Sequence, residues 1–272
     1  MSQGDIAAPD LALIAGTGAL PALLMRARPD MLLCELEGFA SGIPGAEPLR
    51  FRVERLVPFM TELTRRGIRK VCFAGAIRRP KIEPAKFDLR TALLVPRIMG
   101  AIQQGDDATL RAVIALFEER GLEVIGADHI APDLLGGEGV LCGKPTDTDR
   151  KDMARAAEIV AALGAVDVGQ GAVVARGLCL AVEALPGTDA MLDFVATTRP
   201  EAHRGGVLMK APKPGQDLRI DMPAIGPRTV EGAARARLSC LCWRAGGVLL
   251  LDRAAVIAAA EKHGIALWGV QA

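Results

Sequence analysis

Tyrosine is absent from this chain of 272 residues, and aromatic residues make up only 3% of it. Large rings therefore cannot dominate the core. Packing falls to Ala, Leu, Val and Gly, which suits helices laid closely on parallel strands. Excess charge is missing as well: 33 Lys and Arg face 32 Asp and Glu, and no basic stripe alternates with aromatics. Nucleic acid is thereby excluded as a partner, and any anion site must be local. No apolar run approaches the ~20 residues of a membrane span, and no basic segment followed by an apolar stretch and a cleavage site opens the chain. The expected location is cytoplasmic. The six cysteines (Cys34, Cys72, Cys142, Cys179, Cys240 and Cys242) form no CxxC pair and read as small core residues in a reducing compartment. The histidines His129, His203 and His263 lack metal-ligand spacing, and Ser2, Ser41 and Ser239 sit in no GxSxG elbow, which argues against Ser/His/Asp catalysis.

What remains is a strong α/β rhythm. Residues 11–15 (LALIA) form an apolar run that meets Gly16-Thr17-Gly18 and then a helical pattern; a second run follows at Met31–Leu36. This spacing suits a βαβ unit. A helix is predicted over 55–66 with Gly67 as its stop, a strand over Lys70–Ala74, a helix over Asp106–Arg120 and a strand over Leu122–Ile125. The fold class is thus α/β, with a mainly parallel, Rossmann-like N-terminal domain at 1–135. The Gly-rich stretch 136–149 reads as a linker. Residues 150–272 read as a mixed α/β C-terminal domain. Its expected strands are AVDVGQ, AVVAR and LCLAVEA between 165 and 184, then Val207–Lys210, Leu218–Asp221, Gly247–Leu251 and Ile265–Val270. Helices are expected after Thr188, over Pro227–Ala236 and over Asp252–His263.

Several local patterns invite chemistry. Gly16-x-Gly18 after a strand lets backbone N–H groups approach a phosphate, or makes a tight turn with no ligand. Position 21 is Pro where a dinucleotide fingerprint has its third glycine, and a Walker lysine is missing. Gly75-Ala76-Ile77-Arg78-Arg79 follows another strand, where Arg78 could pair with phosphate or simply be solvated. Asp106-Asp107 opens a helix; one acid is explained as a cap, the second less easily. Glu183, Gly187, Thr188 and Asp189 cluster at a helix start, as caps or as part of an anion site. The densest pattern is Lys210-Ala-Pro-Lys213-Pro-Gly-Gln216-Asp217-Leu-Arg219-Ile-Asp221. If 217–221 is extended, Asp217, Arg219 and Asp221 share one face. Two carboxylates, a guanidinium and two lysines suit a divalent cation bridged to phosphate oxygens; the plainer reading is a salt-bridged surface strand.

Taken together, LALIAGTGALP, GAIRRP at 75–80, GDDATLRAV at 105–113, DVGQGAVVARGLCLAVEALPGTDAML at 167–192, LMKAPKPGQDLRIDMPAIGPRTVEGAA at 208–234 and the closing LLLDRAAVIAAAEKHGIALWGV resemble the LpxI-type UDP-2,3-diacylglucosamine pyrophosphatase family over nearly the whole chain. The resemblance implies an enzyme of lipid A synthesis at the cytoplasmic face of the inner membrane in Gram-negative bacteria. It would hydrolyse UDP-2,3-diacylglucosamine to UMP and 2,3-diacylglucosamine 1-phosphate (lipid X), with Mg²⁺ as cofactor and water directed at the phosphorus nearer the sugar. It also implies a Rossmann-like domain hinged to a family-specific C-terminal domain, with an essential acid at Asp221.

The expected catalytic set is Asp221, Asp217, Lys210, Lys213 and Arg219. The expected substrate-binding set is Gly16, Thr17, Gly18, Gly75, Ala76, Arg78, Gln170, Gly187, Thr188, Asp189 and Gln216. The expected metal ligands come from Asp221, Asp217, Asp106 and Asp107. Transient contact with a membrane surface and a homodimer are further expectations. The rival readings are a nucleotide- or lipid-binding module without catalysis and an NAD-type oxidoreductase.

Overall fold

The computed structural model describes residues 9–77 and 81–271, the side chain of Asp106 excepted. Arg78 and the Asp106 carboxylate therefore lie outside the described residues. The chain divides into two compact units, Met1–Ala131 and Pro132–Ala272.

The first unit is built on strands β1 (Leu11–Ala15), β2 (Leu32–Leu36), β3 (Leu49–Phe51), β4 (Lys70–Ala74) and β5 (Glu123–Ile125). All pair in parallel, in the order β3-β2-β1-β4-β5. Every residue of β1 is buried, as its unbroken apolar run requires of a central parallel strand. The helices are α1 (Leu20–Ala27), α2 (Leu56–Arg65), α3 (Leu89–Ala92), α4 (Val95–Ile102), α5 (Asp106–Glu118) and α6 (Ala127–Ile130). The few aromatics are concentrated here: Phe51 stacks on Phe59 at 3.9 Å, and Phe117 meets Phe59 and Phe73 edge-on. The strand order reverses direction between β1 and β4. In open α/β sheets, ligands bind outside the carboxyl ends of the strands at such a reversal point.

The second unit carries β6 (Gly139–Cys142), β7 (Gly171–Ala175), β8 (Leu178–Val182), β9 (Val207–Lys210), β10 (Ala224–Ile225), β11 (Cys240–Arg244), β12 (Leu249–Leu250) and β13 (Ala266–Val270), with helices α7 (Asp147–Ala165), α8 (Gly187–Thr198), α9 (Pro227–Arg235) and α10 (Arg253–His263). Six strands form a mixed sheet, β6-β13-β11-β9-β7-β8, and β10 pairs with β12. Alternation along each strand sorts the core. Val173, Leu208, Leu241 and Leu267 pack with Met191, Leu192, Val230, Val256 and Ala260 from α8, α9 and α10. Ala172, Val174, Val207, Met209, Cys240 and Cys242 pack with Ala156 and Val160 from α7. The result is a three-layer α/β/α unit.

Three expectations are corrected. The stretch 136–149 is not a linker: it contains β6, which pairs antiparallel with β13, and the start of α7. Two of its glycines, Gly136 and Gly143, serve close packing instead. A Cβ at Gly136 would lie 2.5 Å from Trp243 Nε1, and that nitrogen donates to Gly137 O. The segment AVDVGQ is the end of α7 and a turn, with Asp167 at φ +56°. Residues 217–221 are a turn, with Ile220 and Asp221 N–H groups donating to Asp217 O. Cysteine burial also holds only in part. Cys34, Cys72, Cys240 and Cys242 are buried, and burial pushes the Cys34 and Cys72 thiols up to about 12, whereas Cys179 is exposed on the edge strand β8. No described helix is long and apolar enough to cross a membrane.

Candidate active site

In the second unit the expected polar residues gather where β9 ends and β7 begins. Gly171 pairs with Lys210, and Ala211 N–H donates to Gln170 O. From there the chain runs through Pro212 and a turn at 213–216, in which Gly215 takes φ +75°. Gln216 Oε1 accepts from Lys213 N–H at 2.9 Å. That bond settles which end of the amide is which, so Gln216 Nε2 faces Asp221 and donates to its Oδ2 at 2.5 Å. Gln170 Nε2 donates to the same oxygen at 3.2 Å. Two amides thus hold one oxygen of the half-buried Asp221 carboxylate. Gln170 and Gln216, expected on the substrate, are here partners of the acid.

Asp217 and Arg219 do not join Asp221 on one face, because the segment turns instead of extending. Arg219 grips Asp217 in a fork, Nε to Oδ1 at 2.9 Å and Nη2 to Oδ2 at 2.7 Å. Lys213 points to Asp167 Oδ1 at 2.5 Å. Beside these residues lies a cavity of about 280 Å³ lined among others by Lys213, Gln216, Leu218, Arg244 and Gly247. Two residues of this neighbourhood escape the sequence reading. Asp167 was hidden by its placement in an expected strand. Arg244 ends β11, a strand that the sequence pattern did not mark, at the carboxyl end where parallel sheets present functional side chains.

A second polar cluster lies on the α8 side of the same sheet end. Lys210 is buried with a side chain 6% exposed. Its Nζ donates to Thr188 Oγ1 at 2.6 Å and, at 3.5 Å, to Ala224 O. Thr188 Oγ1 in turn donates to Glu183 Oε1 at 2.9 Å. Thr188 and Asp189 do not cap the helix: α8 starts at Gly187, and Asp189 pairs with the exposed Arg228.

In the first unit, the two glycine loops meet. Thr17 and Ala76 exchange both backbone hydrogen bonds at 2.9 Å, and Thr17 Oγ1 also donates to Ala76 O. A Cβ at Gly16 would lie 2.5 Å from Ala76 O, and one at Gly75 would lie 2.7 Å from Thr17 O. Both glycines are therefore required by the packing of the two loops. Gly18, at φ +110°, has open space around its Cα. Asp107 pairs with Arg111 one turn along α5.

No group of three His, Cys, Asp or Glu converges as a metal cage among the described residues. Asp221 offers a different fit. Mg²⁺ commonly takes only one or two protein carboxylates and fills its shell with water and substrate phosphate. A carboxylate held through Oδ2, whose partner Gln216 lines a cavity with Lys213 and Arg244 on its wall, suits that mode. Asp217, clasped by Arg219, suits it less.

Comparison with known proteins agrees with the pattern of residues. The LpxI N-terminal domain matches residues 10–134 and the LpxI C-terminal domain matches 137–268. The UDP-2,3-diacylglucosamine pyrophosphatase LpxI of Caulobacter vibrioides is 41% identical over 96% of this chain and 97% of its own length. With both domains matched and a relative this similar from end to end, the chain belongs to the LpxI family.

Proposed function

We propose that this chain hydrolyses the pyrophosphate of UDP-2,3-diacylglucosamine to UMP and 2,3-diacylglucosamine 1-phosphate, with Mg²⁺ as cofactor. The observation that carries this reading is the 41% identity, across 96% of the chain, to a relative named for action on that substrate. The site chemistry is consistent with it. Water attacks the phosphorus nearer the sugar, the bond from that phosphorus to the bridging oxygen breaks, and UMP departs with the bridging oxygen; the protons of the water leave to solvent.

Asp221 would hold the cation through the carboxylate that Gln170 and Gln216 orient. Bound there, Mg²⁺ supplies positive charge to phosphate oxygens. Lys213 and Arg219 lie on the same segment and can neutralise charge that builds on the phosphoryl group, an effect worth several kcal/mol where water is excluded. Both now pair with acids, Asp167 and Asp217, so each must exchange or share its partner when an anion arrives. Gly18, in open space where the loop enters α1, is the candidate phosphate contact of the first unit; Gly16, Thr17 and Ala76 already donate their backbone N–H groups to protein carbonyls and hold the loop that presents it. A substrate with two acyl chains would bring the enzyme into transient contact with a membrane surface at the cytoplasmic face.

The test is to assay UMP release by mass spectrometry for the wild-type chain and for Asp221→Ala. Turnover should fall about a thousandfold, with substrate binding kept within a few-fold. In ¹⁸O-water the label should appear in the sugar phosphate. EDTA should abolish activity and added Mg²⁺ restore it. Absence of UMP from the wild-type reaction would refute the activity, full turnover in Asp221→Ala the role of that residue, and full activity in chelator the metal.

A further inference from the structure

Glu183 has no place in the mechanism above, yet it is built into the site with unusual care. It follows the last residue of β8, and its N–H donates to Gly171 O at 2.8 Å. Its side chain folds back beneath the β7–β8 pair, 14% exposed, to reach Lys210 and Thr188. Two glycines make room. A Cβ at Gly169 would lie 1.9 Å from Glu183 O, and one at Gly171 would lie 2.6 Å from Glu183 Oε2. Oε1 accepts from Thr188. Oε2 is buried with no hydrogen-bond partner among the described residues and lies 3.4 Å from Lys210 Nζ.

As a contribution to folding this arrangement is poor. Taking two charges out of water is costly, and an attraction that leaves one oxygen without a donor only partly offsets the cost. An apolar pair of the same volume would fill the space as well or better. Departures of this kind from the best local choice concentrate where function needs them. The ammonium of Lys210 is the group that the arrangement controls. Thr188 accepts from it, Glu183 faces it, and Thr188 is itself oriented by giving its proton to Glu183.

We propose that Glu183 and Thr188 are positioning residues. They hold the ammonium of Lys210 in one place at the sheet end that carries Gln170 and the Asp221 segment. The inference rests on the proposed hydrolysis, in which a fixed positive charge helps in the transition state more than in binding. Its effect should appear in kcat, with KM little changed.

The experiment measures kcat and KM for UMP release in Glu183→Gln, Thr188→Val, Thr188→Ser, Lys210→Met and the double variant Glu183→Gln/Lys210→Met, with melting temperatures beside them. Glu183→Gln and Thr188→Val should each lose at least tenfold in kcat, with KM within about twofold. Thr188→Ser, which keeps the hydroxyl, should stay within threefold of wild type. The double variant should be no slower than Lys210→Met alone, because residues acting through one another are not additive. Melting temperatures should stay level or rise in the double variant. The positioning role is overturned if Glu183→Gln or Thr188→Val keeps full kcat, or if the losses multiply in the double variant. Should Glu183→Gln fail to fold, the Thr188 pair decides. If the wild-type chain releases no UMP, it is the hydrolase reading that fails, and the two failures are distinguishable.

Discussion

Burial alone would push the Glu54 carboxyl up. The N–H groups of Glu83 and of Glu54 itself, with the Arg52 guanidinium, reverse the sign and hold it below its ordinary value. Glu83 N–H donates to the carboxylate at 2.8 Å and Arg52 Nε at 3.3 Å. A carboxylate whose folded value is depressed stabilises the fold at pH above its unfolded value, and that contribution is lost as pH falls through the folded value. Glu54→Gln should therefore lower the melting temperature of the first unit by about 5 °C at pH 7. The gap to wild type should close on acidification below the ordinary carboxylate range of about 4.5. Calorimetry from pH 7 to 3 checks this. A gap that stays constant with pH would mean that shape and not charge sets the cost.

Asp152 plays a comparable part for a whole element. It lies on α7, 1% exposed. Its two oxygens accept from Arg176 N–H at 2.9 Å and Gly177 N–H at 2.7 Å, the two residues that turn β7 into β8. Arg176 and Gly177 both have positive φ, 53° and 78°, as a two-residue hairpin turn demands. Asp152→Ala would leave two N–H groups without a partner beside a buried cavity. It should cost about 3 kcal/mol, read as a fall in urea midpoint with unchanged slope. The hairpin was legible in the sequence, because apolar runs flank Arg176-Gly177; its anchor on α7, 24 positions upstream, was not. The same division runs through the rest of the fold. Apolar runs placed β1, β4 and β9 at or near their observed bounds. The three-residue β3 and the two-residue β10 carry too little pattern to be seen. Alternating polarity at 217–221 misled, because the preceding Pro-Lys-Pro-Gly turn and the Asp217 carbonyl coil that segment. The two amide partners of Asp221 become visible only once the turn brings Gln216 and Gln170 to it.

On the scale of the chain, each unit has its own hydrophobic interior. In the second, apolar side chains lie on both faces of one mixed sheet, with helices over each. Its first strand, β6, lies in the stretch that composition alone marked as a linker, and it pairs with the last, β13. The unit is thus closed by residues near its two ends: Gly136 N–H donates to Val248 O, and Gln271 donates to Glu138. Trp243, fully buried, is held by Gly137 O. A fragment of residues 132–272 therefore contains every element of this interior and should fold alone. A fragment starting at 150, the boundary that the glycine content suggested, would lack β6 and the capping box of Thr146 and Asp149 at the head of α7. It would also expose the β13 edge and leave the Trp243 Nε1–H without its acceptor. Circular dichroism and thermal melting of the two fragments should show one cooperative transition for 132–272 and a dye-binding, non-cooperative state for 150–272. Equal, cooperative melting of both would mean that β6 and the glycine packing around Trp243 contribute nothing to the unit, and that the stretch 136–149 is a linker after all.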